Sequence, residues 1–124
     1  MAYPAPTVNR AVRAWRCSPF TLILLERMSV QSVALSAIAG TAGQRNRYTT
    51  LPLLELAVES QLLWLIQVGI LRREVDGQGI TDCFRLTPLG RQIAEQWRHG
   101  HLSRRFPTGI ERLRNFCSRW LNVF

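Results

Sequence analysis

The chain has 124 residues, and 47% of them are hydrophobic. This length and composition suit one folded domain, which we place at residues 1–124, and they exclude a disordered chain. Sixteen basic residues against 8 acidic ones give a formal net charge of +8. Every basic residue is an arginine, a side chain that pairs bidentately with phosphate and carboxylate groups. The charge balance therefore favours an anionic partner, which could be duplex DNA, an acidic protein or anionic lipid.

The cysteines and the apolar runs indicate the cellular compartment. Cys17, Cys83 and Cys117 are widely spaced and odd in number, and the N-terminal residues lack the apolar segment of a secretory signal. The most apolar stretch, residues 51–71, is interrupted by glutamate and glutamine, so it falls short of the roughly 20 apolar residues that a membrane span needs. We expect a cytoplasmic protein with free thiols and no transmembrane segment.

The N-terminal third of the chain predicts short helices separated by breakers. Residues 7–16 have apolar side chains at helical spacing and predict an amphipathic helix. Ser18 and Pro19 have the order of an N-cap and a first-turn proline, which predicts a second helix ending near Met28. The expected elements that follow are a short strand at residues 30–32, a short helix at residues 33–39 and a polar loop at residues 40–50.

Residues 52–68 predict a long helix that is apolar on most sides. Apolar residues occupy nearly every direction around it, and Trp64 is expected in the core. The only charged strip is formed by Glu55 and Glu59, which we expect at the surface.

The pattern from residue 69 onward predicts a β-hairpin. Gly69 suits the left-handed conformation that ends a helix, and the aliphatic content of residues 70–75 favours a strand. Residues 76–79, with the sequence DGQG, supply a tight turn. Residues 80–86 then return as the second strand.

Two more helices are predicted after the hairpin. Thr87 is a good N-cap and Pro88 suits the first helical position, so a helix is expected over residues 89–98. A basic linker follows at residues 100–107. The last predicted helix, at residues 108–123, is amphipathic.

The segment from Val68 to Gln92 resembles the wing of winged helix-turn-helix regulators of the MarR and PadR kind. In both, a glycine, aliphatic residues, basic residues, a turn and a segment such as RLTPLGR follow in this order. The resemblance implies a mainly α, α+β fold: a winged helix-turn-helix with a small antiparallel β-hairpin wing and amphipathic N- and C-terminal helices. Its core would span about residues 18–98, and residues 52–68 would be the recognition helix. The whole chain also resembles a family of small cyanobacterial proteins, which implies no particular activity.

A homodimer is the expected assembly, because MarR-like proteins dimerise through their terminal helices. Both terminal helices here carry an apolar stripe that contains a tryptophan. The candidate interface residues are Val8, Val12, Trp15, Leu113, Phe116, Trp120 and Leu121. Two alternatives are open: the stripes pack within the fold of their own chain, or the last helix lies on a membrane surface. Arg112, Arg114 and Arg119 favour the membrane, since they flank the aromatic face of the last helix as arginines do in interfacial helices.

Residues around the predicted wing form the candidate nucleic-acid interface. The arginines are expected to contact phosphates, and the tyrosine to donate a hydrogen bond. The residues are Arg45, Arg47, Tyr48, Arg72, Arg73, Arg85 and Arg91. Base reading is less well supported, since the recognition helix offers only Glu59, Ser60 or Gln61. The wing tip carries Gln78, where MarR-type wings carry an arginine.

Catalysis and metal binding have little support. His99 and His101 could be two metal ligands, but no cysteine or carboxylate at short spacing completes a site. We therefore expect no enzyme, no metal and no cofactor. The expected function is nucleic-acid binding by a transcriptional regulator. The alternative is a protein-interaction or dimerisation module of the same fold without sequence-specific DNA reading.

Overall fold

The computed structural model describes residues 3–99 and, beyond them, residues 113, 115, 116 and 119. Residues 3–99 form an α+β fold with six helices and a small three-stranded antiparallel sheet. The elements in chain order are α1 (Ala5–Arg16), α2 (Leu22–Val30), β1 (Val33–Ala34), α3 (Leu35–Ile38), α4 (Gly40–Arg45), α5 (Glu55–Gln67), β2 (Leu71–Asp76), β3 (Gly79–Leu86) and α6 (Pro88–Arg98).

The hydrophobic core lies around α5, which contacts α1, α3 and β2. Val58, Leu62 and Leu65 of this helix are almost completely buried. Trp64 is buried too, as the sequence predicts. The second part of the core lies between α2, α6 and β3, where Ile93 is fully buried. Burial of this kind supplies most of the stability of helices as short as these.

The predicted hairpin is confirmed. Strand β2 pairs with β3, and β3 also pairs with β1, so the order in the sheet is β1-β3-β2. Leu71 lies opposite Leu86, and both are buried. After a register shift, Val75 lies opposite Ile80, and both are exposed. The end of the hairpin near α5 therefore belongs to the core, and its tip projects beyond the core.

Helix α6 begins where the sequence predicts. The Thr87 hydroxyl oxygen accepts a hydrogen bond from Gly90 N at 3.0 Å, which caps the helix, and Pro88 occupies the first turn. The Thr87 backbone N–H donates to the Ile70 carbonyl oxygen at 3.0 Å. This bond joins the start of α6 to the chain between α5 and β2.

The start of α2 and the position of β1 differ from the prediction. Helix α2 begins at Leu22 after Thr21, and Ser18 is not its cap. Instead, the Ser18 hydroxyl donates to the Trp15 carbonyl oxygen at 2.7 Å and closes α1. Strand β1 begins at Val33, three residues after the predicted start at residue 30, because α2 continues to Val30.

The predicted loop at residues 40–50 is wrong in its first half, which forms α4. The glycines of this segment indicated a loop, but Gly43 serves close packing. A Cβ atom at Gly43 would lie 1.8 Å from the Ile38 carbonyl oxygen, so only glycine fits between α4 and α3. The helix predicted at residues 33–39 is the shorter α3.

Helix α5 begins three residues later than predicted. The Leu53 carbonyl oxygen accepts a hydrogen bond from Gly40 N at 2.7 Å, and Leu54 has an extended conformation. This bond holds the chain before Glu55 against the start of α4.

The predicted linker at residues 100–107 lies outside the described residues. In the predicted C-terminal helix, Leu113 and Phe116 are helical, as is residue 115.

Replacing Gly90 with alanine should lower the free energy of unfolding by about 1–3 kcal/mol, because overpacking forces the backbone apart. The added Cβ atom would lie 2.3 Å from the Ile70 carbonyl oxygen. Gly77→Ala is the control: no described atom lies within 4 Å of a Cβ at that position. The control should stay within about 0.5 kcal/mol of the parent in urea denaturation. Equal stability of the two variants would contradict the close approach of α6 to Ile70.

Candidate nucleic-acid interface

Arg72 and Arg85 lie opposite each other in the hairpin, and Glu74 lies between their side chains. The sheet register pairs the two arginines directly, an arrangement in which like charges repel. The Glu74 carboxylate is 3.5 Å from the Arg72 guanidinium and 3.3 Å from that of Arg85. Arg85 also donates to the Val30 carbonyl oxygen at 3.3 Å. One carboxylate thus offsets part of the charge of two guanidinium groups, which leaves one net positive charge on this side of the hairpin.

Arg73 lies on the other side of the hairpin and has a packing role. Its guanidinium carbon is 5.1 Å from the centre of the buried Phe84 ring, within range of a cation–π interaction. The Arg73 guanidinium also lies 3.8 Å from the Asp82 carboxylate. Arg73 therefore covers the edge of the core, and its charge is partly neutralised.

Arg45, Arg47 and Arg91 are exposed, and none of the described carboxylates pairs with them. Arg45 is the last residue of α4, and Arg91 lies in the first part of α6. Arg47 follows α4 with a positive φ of 64°. Of the seven candidate residues, these three carry the least compensated charge.

Tyr48 is placed differently from the arginines. It is 8% exposed and belongs to the hydrophobic core. Its backbone N–H donates to the Gly43 carbonyl oxygen at 2.9 Å, and its carbonyl oxygen accepts from Thr21 N at 3.0 Å. A side chain buried to this extent does not suit the expected hydrogen bond to phosphate, so we leave Tyr48 out of the interface.

The tip of the hairpin is apolar and acidic. Val75 and Ile80 are exposed opposite each other, and residues 75–80 contain no arginine. The Asp76 carboxylate accepts a hydrogen bond from Gln78 N at 2.7 Å and stabilises the turn. The tip thus offers a partner two aliphatic side chains and no cation.

The polar residues of α5 bond to C-terminal residues of the same chain. The Trp64 indole N–H donates to the Asn115 side-chain oxygen at 2.9 Å. The Arg119 guanidinium donates to the Ser60 carbonyl oxygen at 3.0 Å and to the Gln61 side-chain oxygen at 3.2 Å. Burial lowers the pKa of the Arg119 guanidinium. Two of the three residues that could have contacted bases are therefore already engaged.

The apolar stripe of α1 is covered within its own chain. Trp15 is buried, and its ring packs edge-on against Trp97 with 6.4 Å between the ring centroids. Val8 and Val12 are half-buried and pack against the core. These three candidate interface residues do not need a second subunit to remove them from water.

Exposed apolar side chains lie at the C-terminal residues and at the start of α5. Leu113 and Phe116 are 60% and 53% exposed, whereas the candidates Trp120 and Leu121 lie outside the described residues. Leu54 and Leu56 are 82% and 81% exposed. The exposure of these two leucines could not be predicted from the sequence, because a helix with apolar residues in nearly every direction gives no signal for its exposed side.

The described residues hold no group of three or more histidine, cysteine, aspartate or glutamate side chains that could bind a metal ion. Cys83 is a free thiol. Among these residues, no helix has the length and apolar content needed to cross a membrane.

A family model described as Npun_F0494-like matches residues 1–119. The chain belongs to the Npun_F0494-like family. The match covers the candidate interface, α5 and all the described C-terminal residues. No curated protein and no solved structure gives a significant match to the chain.

In this Npun_F0494-like protein, Arg119→Ala should reduce the free energy of unfolding by about 1–2 kcal/mol, since it removes charge-assisted hydrogen bonds to a partly buried helix. The control is Arg27→Ala, at an exposed position of α2, which should change stability by less than about 0.5 kcal/mol. Hydrogen exchange should also become faster at Ser60 and Gln61 in the Arg119 variant alone. Unchanged exchange there would contradict the contact.

Proposed function

We propose that this Npun_F0494-like protein is a non-enzymatic, cytoplasmic winged-helix protein that binds nucleic acid and regulates transcription. The order of the elements supports the fold assignment: a helix, a short strand, the α3 and α4 helices, α5 and then a hairpin. The sheet order β1-β3-β2 supports it too, because the first strand pairs with the second strand of the hairpin. In this assignment α5 stands in the position of the recognition helix and the β2-β3 hairpin in that of the wing.

The exposed arginines that lack acidic partners carry the nucleic-acid proposal. Arg45, Arg47 and Arg91 keep uncompensated charges in a chain with a net charge of +8. A polyanion would neutralise them and release its own counterions, which favours binding. Arg72 adds a further site, since its side chain is 54% exposed and its 3.5 Å pair with Glu74 is a weak surface ion pair that a phosphate can replace.

The proposed contacts are with phosphates and not with bases. Ser60 and Gln61 of α5 are bonded to Arg119, and Glu55 and Glu59 give the same helix a charge that repels phosphate. The hairpin tip has no cation for the minor groove. Phosphate contacts position a protein on the duplex without reading its sequence. We therefore propose binding with little sequence preference.

Purified protein should bind random-sequence duplex DNA with an affinity that falls steeply as the salt concentration rises. The double variant Arg45→Gln, Arg91→Gln should reduce the slope of log affinity against log salt by about 2, roughly one for each lost phosphate contact. Arg27→Gln, Arg98→Gln removes the same charge from α2 and the end of α6 and should reduce the slope less. Binding that is absent at low salt, or that does not depend on salt, would contradict the proposal.

A second candidate function is a protein-interaction or dimerisation module of the same fold. Exposed apolar residues favour it, because clusters of such residues mark interaction surfaces. Leu54 and Leu56 flank the exposed Glu55 at the start of α5, an arrangement that suits a partner with apolar and basic groups. Leu113 and Phe116 are the described residues best placed for a homodimer, since the α1 stripe is already covered.

Sedimentation velocity tests the dimer. The parent protein should sediment as a dimer at micromolar concentration, and Leu113→Ser, Phe116→Ser should shift it to the monomer because the variant removes apolar area from the interface. Leu54→Ser, Leu56→Ser makes the same chemical change at the start of α5 and should leave the dimer intact. A monomeric parent protein would exclude the dimer, and dissociation of the control variant alone would move the interface to α5.

A further inference from the structure

A groove of ≈ 500 Å³ lies beside the first half of α1 and is lined by Pro6, Thr7, Asn9, Arg10 and Arg13. Helix α1 carries three arginines and no acidic residue. The groove thus has two guanidinium groups in its lining, and none of the seven candidate residues of the interface lines it.

Arg10 and Arg13 are three residues apart, so they neighbour each other on the helix surface. The Nε atom of each is shielded from solvent and has no hydrogen-bond partner among the described residues. Arg10 makes a long hydrogen bond of 3.4 Å to the Gln67 carbonyl oxygen, and none of the described carboxylates pairs with either arginine. The two side chains thus hold two positive charges beside the groove, and apart from the bond to Gln67 their terminal guanidinium N–H groups make no hydrogen bond to a described residue.

The start of α1 adds to this positive potential. The helix begins after Pro4 without a side-chain cap. The backbone N–H of Thr7 belongs to the first turn, whose donors have no acceptor within the helix, and the helix dipole is positive at this end. Thr7 and Asn9 also supply a hydroxyl and an amide as neutral donors at the groove.

We propose that this groove binds a phosphate group, with Arg10 and Arg13 as its charged ligands. Two guanidinium charges match one dianionic phosphate of a small molecule or two neighbouring phosphodiesters of a nucleic-acid backbone, each of which carries one negative charge. Guanidinium groups bind phosphate oxygens bidentately, and the donors of Thr7 and Asn9 suit the remaining oxygens. The phosphate comes either from a small molecule or from a nucleic-acid backbone. In the second case the proposal rests on the nucleic-acid function above and extends the bound surface to α1.

Isothermal titration calorimetry with inorganic pyrophosphate tests the small-molecule source, and a titration with random-sequence duplex DNA tests the backbone source. Both titrations compare three forms of the full chain. These are the parent protein, the groove double variant Arg10→Gln, Arg13→Gln, and the control double variant Arg27→Gln, Arg98→Gln, which removes the same charge elsewhere. Arg13→Gln alone is the second groove variant, because the Arg13 side chain makes no bond to a described residue. Thermal unfolding shows whether each variant is folded.

The groove double variant should weaken pyrophosphate binding at least roughly tenfold, the loss expected for charge-assisted bonds, while the control stays within about twofold of the parent. The affinity of the single variant Arg13→Gln for pyrophosphate should lie between that of the groove double variant and that of the control. If pyrophosphate does not bind and the groove variant weakens DNA binding by more than the control does, the phosphate is that of the backbone. If neither probe distinguishes the groove variant from the control, the proposal is overturned.

The phosphate-binding groove and the nucleic-acid function can be refuted independently of each other. Pyrophosphate binding that needs Arg10 and Arg13, in a protein that binds no DNA, would support the groove and refute the nucleic-acid function. Salt-dependent DNA binding that is equal in the groove variant and the control, with no pyrophosphate binding, would refute the groove and leave the nucleic-acid function in place.

Discussion

The backbone of Ile70 fixes the position of the hairpin and of α6 relative to α5. Its N–H donates to the Leu65 carbonyl oxygen at 2.9 Å, which ties it to the end of α5. Its carbonyl oxygen accepts from both the backbone N–H and the hydroxyl of Thr87, each at 3.0 Å. Because its side chain is also fully buried, one residue joins the end of a helix, both strands of the hairpin and the start of the next helix. The orientation of the proposed wing depends on this junction.

The positions of the few acidic residues decide where the excess positive charge is available. Glu74 and Asp82 neutralise arginines of the hairpin, and Glu26 lies 3.4 Å from Arg98 at the end of α6. Helices α1 and α4 contain no acidic residue. The hairpin is therefore less positive than its arginine content indicates, and the strongest uncompensated charge lies on the helices. A partner attracted by charge alone would meet α1, α4 or the start of α6.

Local signals made the hairpin and α6 predictable from the sequence, because Thr87 and Pro88 cap a helix by interactions with their own neighbours in the chain. The burial of Tyr48 and the exposure of Leu56 depend on contacts between distant segments, which periodicity does not contain. Gly43 misled the prediction for a different, local reason: its close approach to the Ile38 carbonyl oxygen depends on how α4 packs against α3, which the residue types alone do not show. The arginines of the candidate interface were identifiable by type, but their acidic partners were visible only in the folded hairpin.

Because every basic residue is an arginine, neither deprotonation nor lysine acetylation can remove the positive charges of the exposed surface. A guanidinium group keeps its proton at every physiological pH, and acetylation, which removes the charge of a lysine, has no target in a chain without lysine. Methylation of an arginine changes its hydrogen bonding and keeps its charge. The helical arginines of α1, α4 and α6 thus keep their positive charge permanently. An anionic partner bound to these arginines would dissociate when other anions compete for them, and not when the protonation of the protein changes.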